Sequence, residues 1–164
     1  MSQHLLKNIE KLKRMILTVS ALAEENVHLA VRAVEKRDAA LGRRVIDSDP
    51  EIDNMEVEVE EECLKILALH QPVAFDLRFI VSVLKINSDL ERIGDLAVNI
   101  AERAVFLSTI RHRVNMGFDY AGMTAKTQTM LRQSLDALVN NDASLARQVL
   151  AMDDEVDEIN RRMY

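Results

Sequence analysis

The amino-acid sequence predicts an all-α fold made of tandem up-down-up three-helix bundles, of which the second is incomplete. Apolar residues recur every three or four positions along several long segments, which is typical of helices that bury one face. Only four Gly and two Pro interrupt the 164 residues, while good helix-forming residues are abundant. The last part of the chain also repeats an earlier part, which indicates that one helical unit is used twice.

Composition narrows the classes of function. The net charge of −6 argues against binding to a nucleic-acid backbone, which needs a basic surface. Cys63 is the single cysteine, lies at a helical core position and is interpreted as a small apolar residue. No stretch approaches the roughly 20 apolar residues that span a bilayer, and the N-terminus does not resemble a secretion signal. We therefore expect a soluble, cytoplasmic protein.

The first unit is expected to contain three long helices, over about 5–35, 38–69 and 73–107. The turns between them are short, so the helices must pack antiparallel. Asp38 is a good N-cap for the second helix. Pro50 predicts a bend or an interruption in that helix, and the unbroken apolar stripe favours one kinked helix over two separate ones.

The three helices and the sequence that follows suggest a division into 1–108 as the first repeat, 109–118 as a linker and 119–164 as a partial second repeat. Helices are expected over 119–140 and 142–164. The residues expected to turn inward from the first of these are Met123, Met130, Ser134 and Leu138.

The internal repeat appears when the sequence is shifted by 104 residues. Residues 33–56 then face residues 137–160, and nine of these 24 positions are identical. The second unit contains its first helix and half of its second, and a full copy is expected to end near position 210. The sequence thus predicts that the chain is a fragment or a naturally shortened copy.

The predicted third helix carries the most specific polar pattern. Glu91, Asp95 and Asn99 are spaced by four residues and therefore share one face, with Gly94 permitting close approach of another group. Carboxylate and amide oxygens suit a hard or borderline cation. Asp53, from an acidic stripe on the second helix, is a further candidate ligand. The alternative interpretation is that both stripes are solvated polar faces.

Catalytic patterns are weak in this sequence. No glycine-rich phosphate loop and no nucleophile–base arrangement has supporting spacing. Glu25 and His28 form one Glu-x-x-His pair, whereas a ferritin-like di-iron bundle needs two such pairs on separate helices. No catalytic residue is proposed, and a metal-dependent, ferritin-like enzyme is kept as the alternative function.

Three motifs together resemble the PhoU family. They are Leu90-Glu91-Arg92-Ile93-Gly94-Asp95 with Asn99-Ile100-Ala101-Glu102, the turn Gln71-Pro72-Val73-Ala74-Phe75-Asp76-Leu77-Arg78, and Asp49-Pro50-Glu51-Ile52-Asp53. The resemblance covers the whole chain and implies a PhoU-like fold of spectrin-repeat-like bundles. It also implies a cytoplasmic protein that regulates phosphate uptake and is not an enzyme. Self-association is expected on separate grounds, because the two helices of the second unit carry apolar stripes that lack a third partner, and a homodimer would cover them.

The resemblance further implies partners and a cofactor. The implied partners are the ATPase of the Pst phosphate ABC transporter and a sensor histidine kinase, with which the protein represses the phosphate regulon. No direct nucleic-acid contact is implied, and contact with the membrane is implied only through partners. Some family members hold multinuclear iron or zinc clusters through a motif that falls here on Glu91 and Asp95. Its second copy, expected near positions 195 and 199, lies outside this sequence, so a second chain would have to supply it.

Overall fold

The computed structural model of the protein describes residues 3–110 and 120–162, and all its regular structure is helical. The five helices are α1 (Gln3–Lys36), α2 (Ala39–His70), α3 (Ala74–Ser108), α4 (Tyr120–Asn140) and α5 (Ala143–Arg161). Their ends lie within two or three residues of the expected ones, and the described ranges contain no β-strand. Most of the expected linker and the last two residues of the expected final helix lie outside the described residues.

Helices α1, α2 and α3 pack against one another around a shared core. Their apolar stripes meet as the spacing predicts, and several large aliphatic side chains are fully enclosed. The most completely buried of these are Leu12, Ile16, Ile52, Ile66, Ile80 and Leu90. Cys63 is also fully buried, and burial raises the pKa of its thiol to about 12. The thiol is therefore an apolar core group at neutral pH, as expected.

Helix α2 continues without interruption through Pro50, which confirms the single helix and excludes two consecutive helices. The proline side chain is exposed, so its ring does not compete with core packing. The N-terminus of α2 is capped as expected: Asp38 Oδ1 accepts hydrogen bonds from the backbone N–H of Ala40 and Leu41 at 2.9 and 3.0 Å.

Two polar residues inside the bundle satisfy each other. Asn26 is buried on the α1 stripe, where an apolar residue would fit the pattern better. Its Oδ1 accepts a hydrogen bond of 3.1 Å from the hydroxyl of Ser48, which occupies the matching stripe of α2. Pairing the two groups removes most of the cost of burying either one.

Helices α2 and α3 approach each other closely at Gly42. A Cβ atom added there would lie 2.9 Å from the backbone oxygen of Ala101 and 2.9 Å from Cγ2 of Val105. The facing side of α3 carries Ala97, Ala101 and Ala104, all fully buried. Small side chains on both helices thus bring the two backbones together at the end of the bundle where α2 begins.

The pair α4–α5 is attached to the first three helices through α1. Among the described residues α4 contacts α1 and α5, whereas α5 contacts only α4. Gln128 Nε2 donates to the backbone oxygen of Glu24 at 2.9 Å, and Arg132 pairs with the Glu24 carboxylate at 3.0 Å. Leu131, Leu135 and Leu138 extend the core between these helices.

The inward face of α4 differs from the expected one at one position. Ser134 is exposed, and its neighbour Leu135 is buried instead. The prediction for Ser134 was wrong because it extended a four-residue step from Met130, whereas α4 turns its leucines towards α1. Met123, Met130 and Leu138 are half-buried.

The sequence repeat is visible as a repeated turn. Arg37 and Asn141, which are 104 residues apart, both adopt left-handed backbone conformations with φ of 53° and 55°. Each is followed by an aspartate that caps the next helix, and Asp142 accepts hydrogen bonds from Ser144 and Leu145 as Asp38 does from its own helix. The same local sequence therefore builds the same helix–turn–helix corner twice.

No helix in residues 3–110 or 120–162 is both long and apolar enough to cross a membrane.

Candidate functional site

The predicted site residues lie where α2 and α3 pack side by side. Gly94 is buried on α3, and a Cβ atom added there would lie 3.2 Å from Cδ1 of Ile52 and 3.6 Å from Oδ1 of Asp49. The missing side chain leaves room for Ile52 and lets the Asp49 carboxylate approach α3. The glycine thus has the role that the sequence indicated, which is to admit a neighbouring group.

Five carboxylates gather along this contact, and we refer to them as the acidic cluster. Two lie on α3, and the other three lie on α2 at successive turns. The members are Asp49, Asp53, Glu56, Glu91 and Asp95. Within the part of the chain that the structure describes, none of the five forms an ion pair with a basic side chain.

The electrostatics of the acidic cluster disfavour a full set of negative charges. Partial desolvation raises the pKa of Asp49, and the charges of Asp53 and Asp95 raise it further. The pKa of Glu91 is likewise raised, first by desolvation and then by Asp95 and the three α2 carboxylates. The preference of these groups for the charged form is therefore weaker than in an isolated carboxylate, and a bound cation would relieve their mutual repulsion.

Three of the four predicted ligands, Asp53, Glu91 and Asp95, belong to the acidic cluster, and their role as ligands stays a prediction. Their charges interact between α2 and α3, since Asp53 raises the pKa of Glu91 and Asp95 raises the pKa of Asp49. Asn99 lies one turn further along α3, is exposed and makes no hydrogen bond to another described residue. Its role as a ligand stays a prediction.

The sequence prediction of the site omitted Asp49 and Glu56. Both belong to the acidic stripe of α2, and Asp49 and Asp53 recur in the second unit as Asp153 and Asp157. That recurrence was the available signal for Asp49. In the second unit the corresponding carboxylates are exposed on α5, and Asp157 pairs with Arg161 at 3.7 Å, so no second cluster forms among the described residues.

The acidic cluster offers oxygen donors to a cation but not a finished metal site. Across residues 3–110 and 120–162, no three His, Cys, Asp or Glu side chains are arranged as ligands of one ion. Iron or zinc needs four to six ligands in a defined geometry. The donors fit the chemistry of a cation bound with further ligands or water, and they do not by themselves form a closed shell.

The Glu25–His28 pair, which the enzyme alternative needs, lies on the surface. Glu25 is exposed and approaches Arg44 at 3.5 Å. His28 is also exposed and lines a groove of about 160 Å³ between α1 and α4, together with Arg32 and Gln128. Di-iron bundles direct such pairs into the bundle interior, so this pair is in the wrong place for that chemistry.

Fold and site together define a class of protein: a tandem-repeat helical bundle with an unpaired carboxylate cluster between the second and third helices of its first repeat. The family model of the PhoU domain matches residues 16–104 and 121–164. The chain belongs to the PhoU family.

The chain is also similar to individual PhoU proteins. A phosphate-specific transport system accessory protein PhoU homolog of Aquifex aeolicus is 38% identical, with 94% of this chain and 70% of the relative covered. PhoU homolog 1 of Thermotoga maritima is 32% identical, with 98% and 69% covered.

Two solved structures share the fold. The crystal structure of PhoU from Pseudomonas aeruginosa superposes with a TM-score of 0.89 at 35% identity, with 96% of this chain and 75% of that chain covered. The phosphate transport system regulatory protein PhoU from Streptococcus pneumoniae gives a TM-score of 0.88 at 26% identity, with 97% and 74% covered. The tandem helical architecture expected from the sequence is thus confirmed.

The raised pKa of Glu91 predicts that Glu91→Gln stabilises the protein at pH 7. The ordinary pKa of glutamate is 4.5, and a pKa that is higher in the folded state stabilises the fold fully below that pH. This stabilisation is lost as the pH rises through the pKa of Glu91 in the folded protein. Removing the charge should therefore raise the free energy of unfolding by a few tenths of a kcal/mol at pH 7. The gain should vanish on acidification below the ordinary glutamate pKa, as measured by urea unfolding across that range.

Glu102→Gln is the control for this prediction, because Glu102 is an exposed carboxylate on the same helix outside the acidic cluster. Equal gains in both variants, or a gain at Glu91 that persists in acid, would contradict the electrostatic account.

Proposed function

We propose that this protein is a cytoplasmic regulator of phosphate uptake and not an enzyme. In this proposal it acts with the ATPase of a phosphate ABC transporter and with a sensor histidine kinase to repress phosphate-responsive genes when phosphate is plentiful. The observation that carries the proposal is membership of the PhoU family, whose relatives bear the name phosphate-specific transport system accessory protein.

The geometry supports a binding role better than the ferritin-like alternative. The Glu25–His28 pair is exposed and separated from the core, which consists mainly of aliphatic side chains. The bundle instead has a surface-accessible acidic cluster, and the helix pair α4–α5 is attached to it through α1. Both are features through which a protein contacts partners or cations rather than encloses a substrate.

We expect affinity-tagged protein from phosphate-replete cells to carry the transporter ATPase and the sensor kinase with it. Deleting the gene should switch on a phosphate-responsive reporter, and restoring the gene should silence it again. The measurements are mass spectrometry of the purified complex and reporter activity in the same strain.

An untagged strain controls for nonspecific capture in this experiment. The proposal fails if neither partner co-purifies and the reporter ignores the deletion. Consumption of oxygen with ferrous iron by the purified protein would instead support the enzyme alternative.

We also propose that Glu91 and Asp95, with Asp53 and Asp49 beside them, contribute to a multinuclear iron or zinc site. The support is electrostatic: these carboxylates lack a basic partner among the described residues, and Asp49 and Glu91 have raised pKa values. A bound cation would supply the missing positive charge. Since the cluster cannot close a shell alone, the proposal assigns the remaining ligands to water or to a second copy in a homodimer.

The double change Glu91→Gln, Asp95→Asn should abolish binding of zinc or ferrous iron by the full chain and leave its helical content unchanged. Binding is measured by titration calorimetry, helicity by circular dichroism, and mass by light scattering with and without metal. Glu102→Gln is the matched control and should bind like the parent.

A double variant that retains as much metal as the parent shows that the acidic cluster is only a solvated face. If light scattering gives the mass of one chain with and without metal, the homodimer is contradicted. The proposed role in phosphate regulation is not affected by that result.

A further inference from the structure

One end of the three-helix bundle exposes large apolar side chains from every element that meets there. We call this group the apolar tip. Leu6 comes from the first turns of α1, Leu69 from the end of α2, Val73 from the α2–α3 turn and Phe75 from the start of α3. Their exposed fractions are 45%, 66%, 75% and 60% respectively. Exposed apolar side chains clustered in this way mark a contact surface more often than a solvated one.

The turn that carries part of the apolar tip has an unusual backbone conformation. Gln71 and Ala74 on either side of the turn both adopt left-handed conformations, with φ of 43° and 47°, which non-glycine residues rarely do. Pro72 between them is buried. Asn8 Nδ2 lies 3.0 Å from His70 Nε2, and this hydrogen bond ties α1 to the end of α2. The end of α2 that precedes the turn is therefore attached to α1, and the apolar side chains Val73 and Phe75 remain exposed.

Nothing in residues 3–110 or 120–162 covers the apolar tip. Helix α4 packs only on α1 and α5, and its hydrogen bonds to α1 are made at Glu24. Glu24 lies 18 residues beyond Leu6 on α1, which is about 27 Å at 1.5 Å per residue. The second helical unit therefore does not account for the exposure of the tip.

Basic side chains surround the apolar tip, although the whole chain carries a net charge of −6. Lys7, Lys65 and Arg78 are exposed. Of these, Lys65 lies 3.6 Å from the carboxylate of Glu62, which also pairs with Lys11 at 2.6 Å.

Besides Glu62, two acidic groups lie near the tip, Glu10 and Asp76, and each is compensated. Glu10 pairs with Lys13 at 2.9 Å. Asp76 lies in the first turn of α3, where the free backbone N–H groups favour a negative charge. The end of the bundle therefore presents an excess of positive charge to a partner.

From this arrangement we infer that the apolar tip docks on the surface of an anionic phospholipid membrane. Lys65 and Arg78 lie four and three residues back from Leu69 and Phe75, which is about 5 Å along a helix. Interfacial segments bury their apolar side chains roughly 5–10 Å deep, with basic groups at the level of the lipid headgroups. The distance between the apolar and the basic side chains of the tip therefore matches the distance between the buried layer and the headgroups of a membrane.

A second copy of the chain fits the apolar tip less well. A two-fold contact through the tip would gather the basic side chains of both copies, Lys7, Lys65 and Arg78, around a single interface. Such like-charge contacts oppose association, whereas anionic headgroups would be attracted by them. The inference goes beyond the proposed function, in which the protein reaches the membrane only through its partners, and it does not depend on that function.

Co-sedimentation with vesicles tests the inference on the full chain. The parent should bind vesicles of phosphatidylcholine with about one third phosphatidylglycerol at least tenfold more tightly than pure phosphatidylcholine vesicles, and salt should weaken this binding. The Val73→Ser, Phe75→Ser double variant should lose at least tenfold in partitioning. Phe106→Ser is the matched control, because Phe106 is also 60% exposed on α3 but lies at the opposite end of the bundle.

Fluorescence provides a second measurement, since the chain contains no Trp. A Phe75→Trp reporter should shift to the blue on adding anionic vesicles, and a Phe106→Trp reporter should not. The inference is overturned if the parent ignores anionic vesicles, if the tip variant binds like the parent, or if Phe106→Ser loses as much. A concentration-dependent dimer that disappears in the tip variant, without vesicle binding, assigns the tip to a second copy and also overturns it.

Discussion

The close approach of α2 to α3 is the constraint on which the rest of the molecule depends. At Gly42 a single added carbon would meet the backbone oxygen of Ala101, and at Gly94 it would meet the Ile52 side chain. Absent side chains at these two positions let the helices lie together along much of their length. The same contact aligns the carboxylates of α2 with those of α3, so the acidic cluster is a consequence of backbone packing.

The two units show how one local sequence behaves in two surroundings. Both build a left-handed turn followed by an aspartate-capped helix, because those signals act over four or five residues. The surroundings of the capped helix then differ. Helix α2 packs against α1 and α3, whereas α5 contacts only α4 among the described residues. Position 42 is glycine, but its repeat partner is Ala146, which faces no comparably close helix in the described ranges.

The sequence was sufficient for the features that depend on local spacing. Helix ends, the Asp38 cap and the burial of Cys63 follow from periodicity and capping chemistry. Features that depend on how helices cross were harder to predict. Ser134 continues the four-residue step from Met130, yet Leu135 is buried instead because of the direction in which α4 meets α1. Spacing along one helix does not encode these pairings.

Comparing Gly42→Ala with Gly94→Ala tests the role of close helix packing most directly. Alanine gains about 1 kcal/mol of helix propensity over glycine at either site. At Gly42 the new carbon meets backbone, so Gly42→Ala should lower the free energy of unfolding by about 1–3 kcal/mol despite that gain. At Gly94 the nearest atom is the end of the flexible Ile52 side chain, so Gly94→Ala should stay within about 1 kcal/mol of the parent. Equal stability of the two variants in urea unfolding would contradict the account.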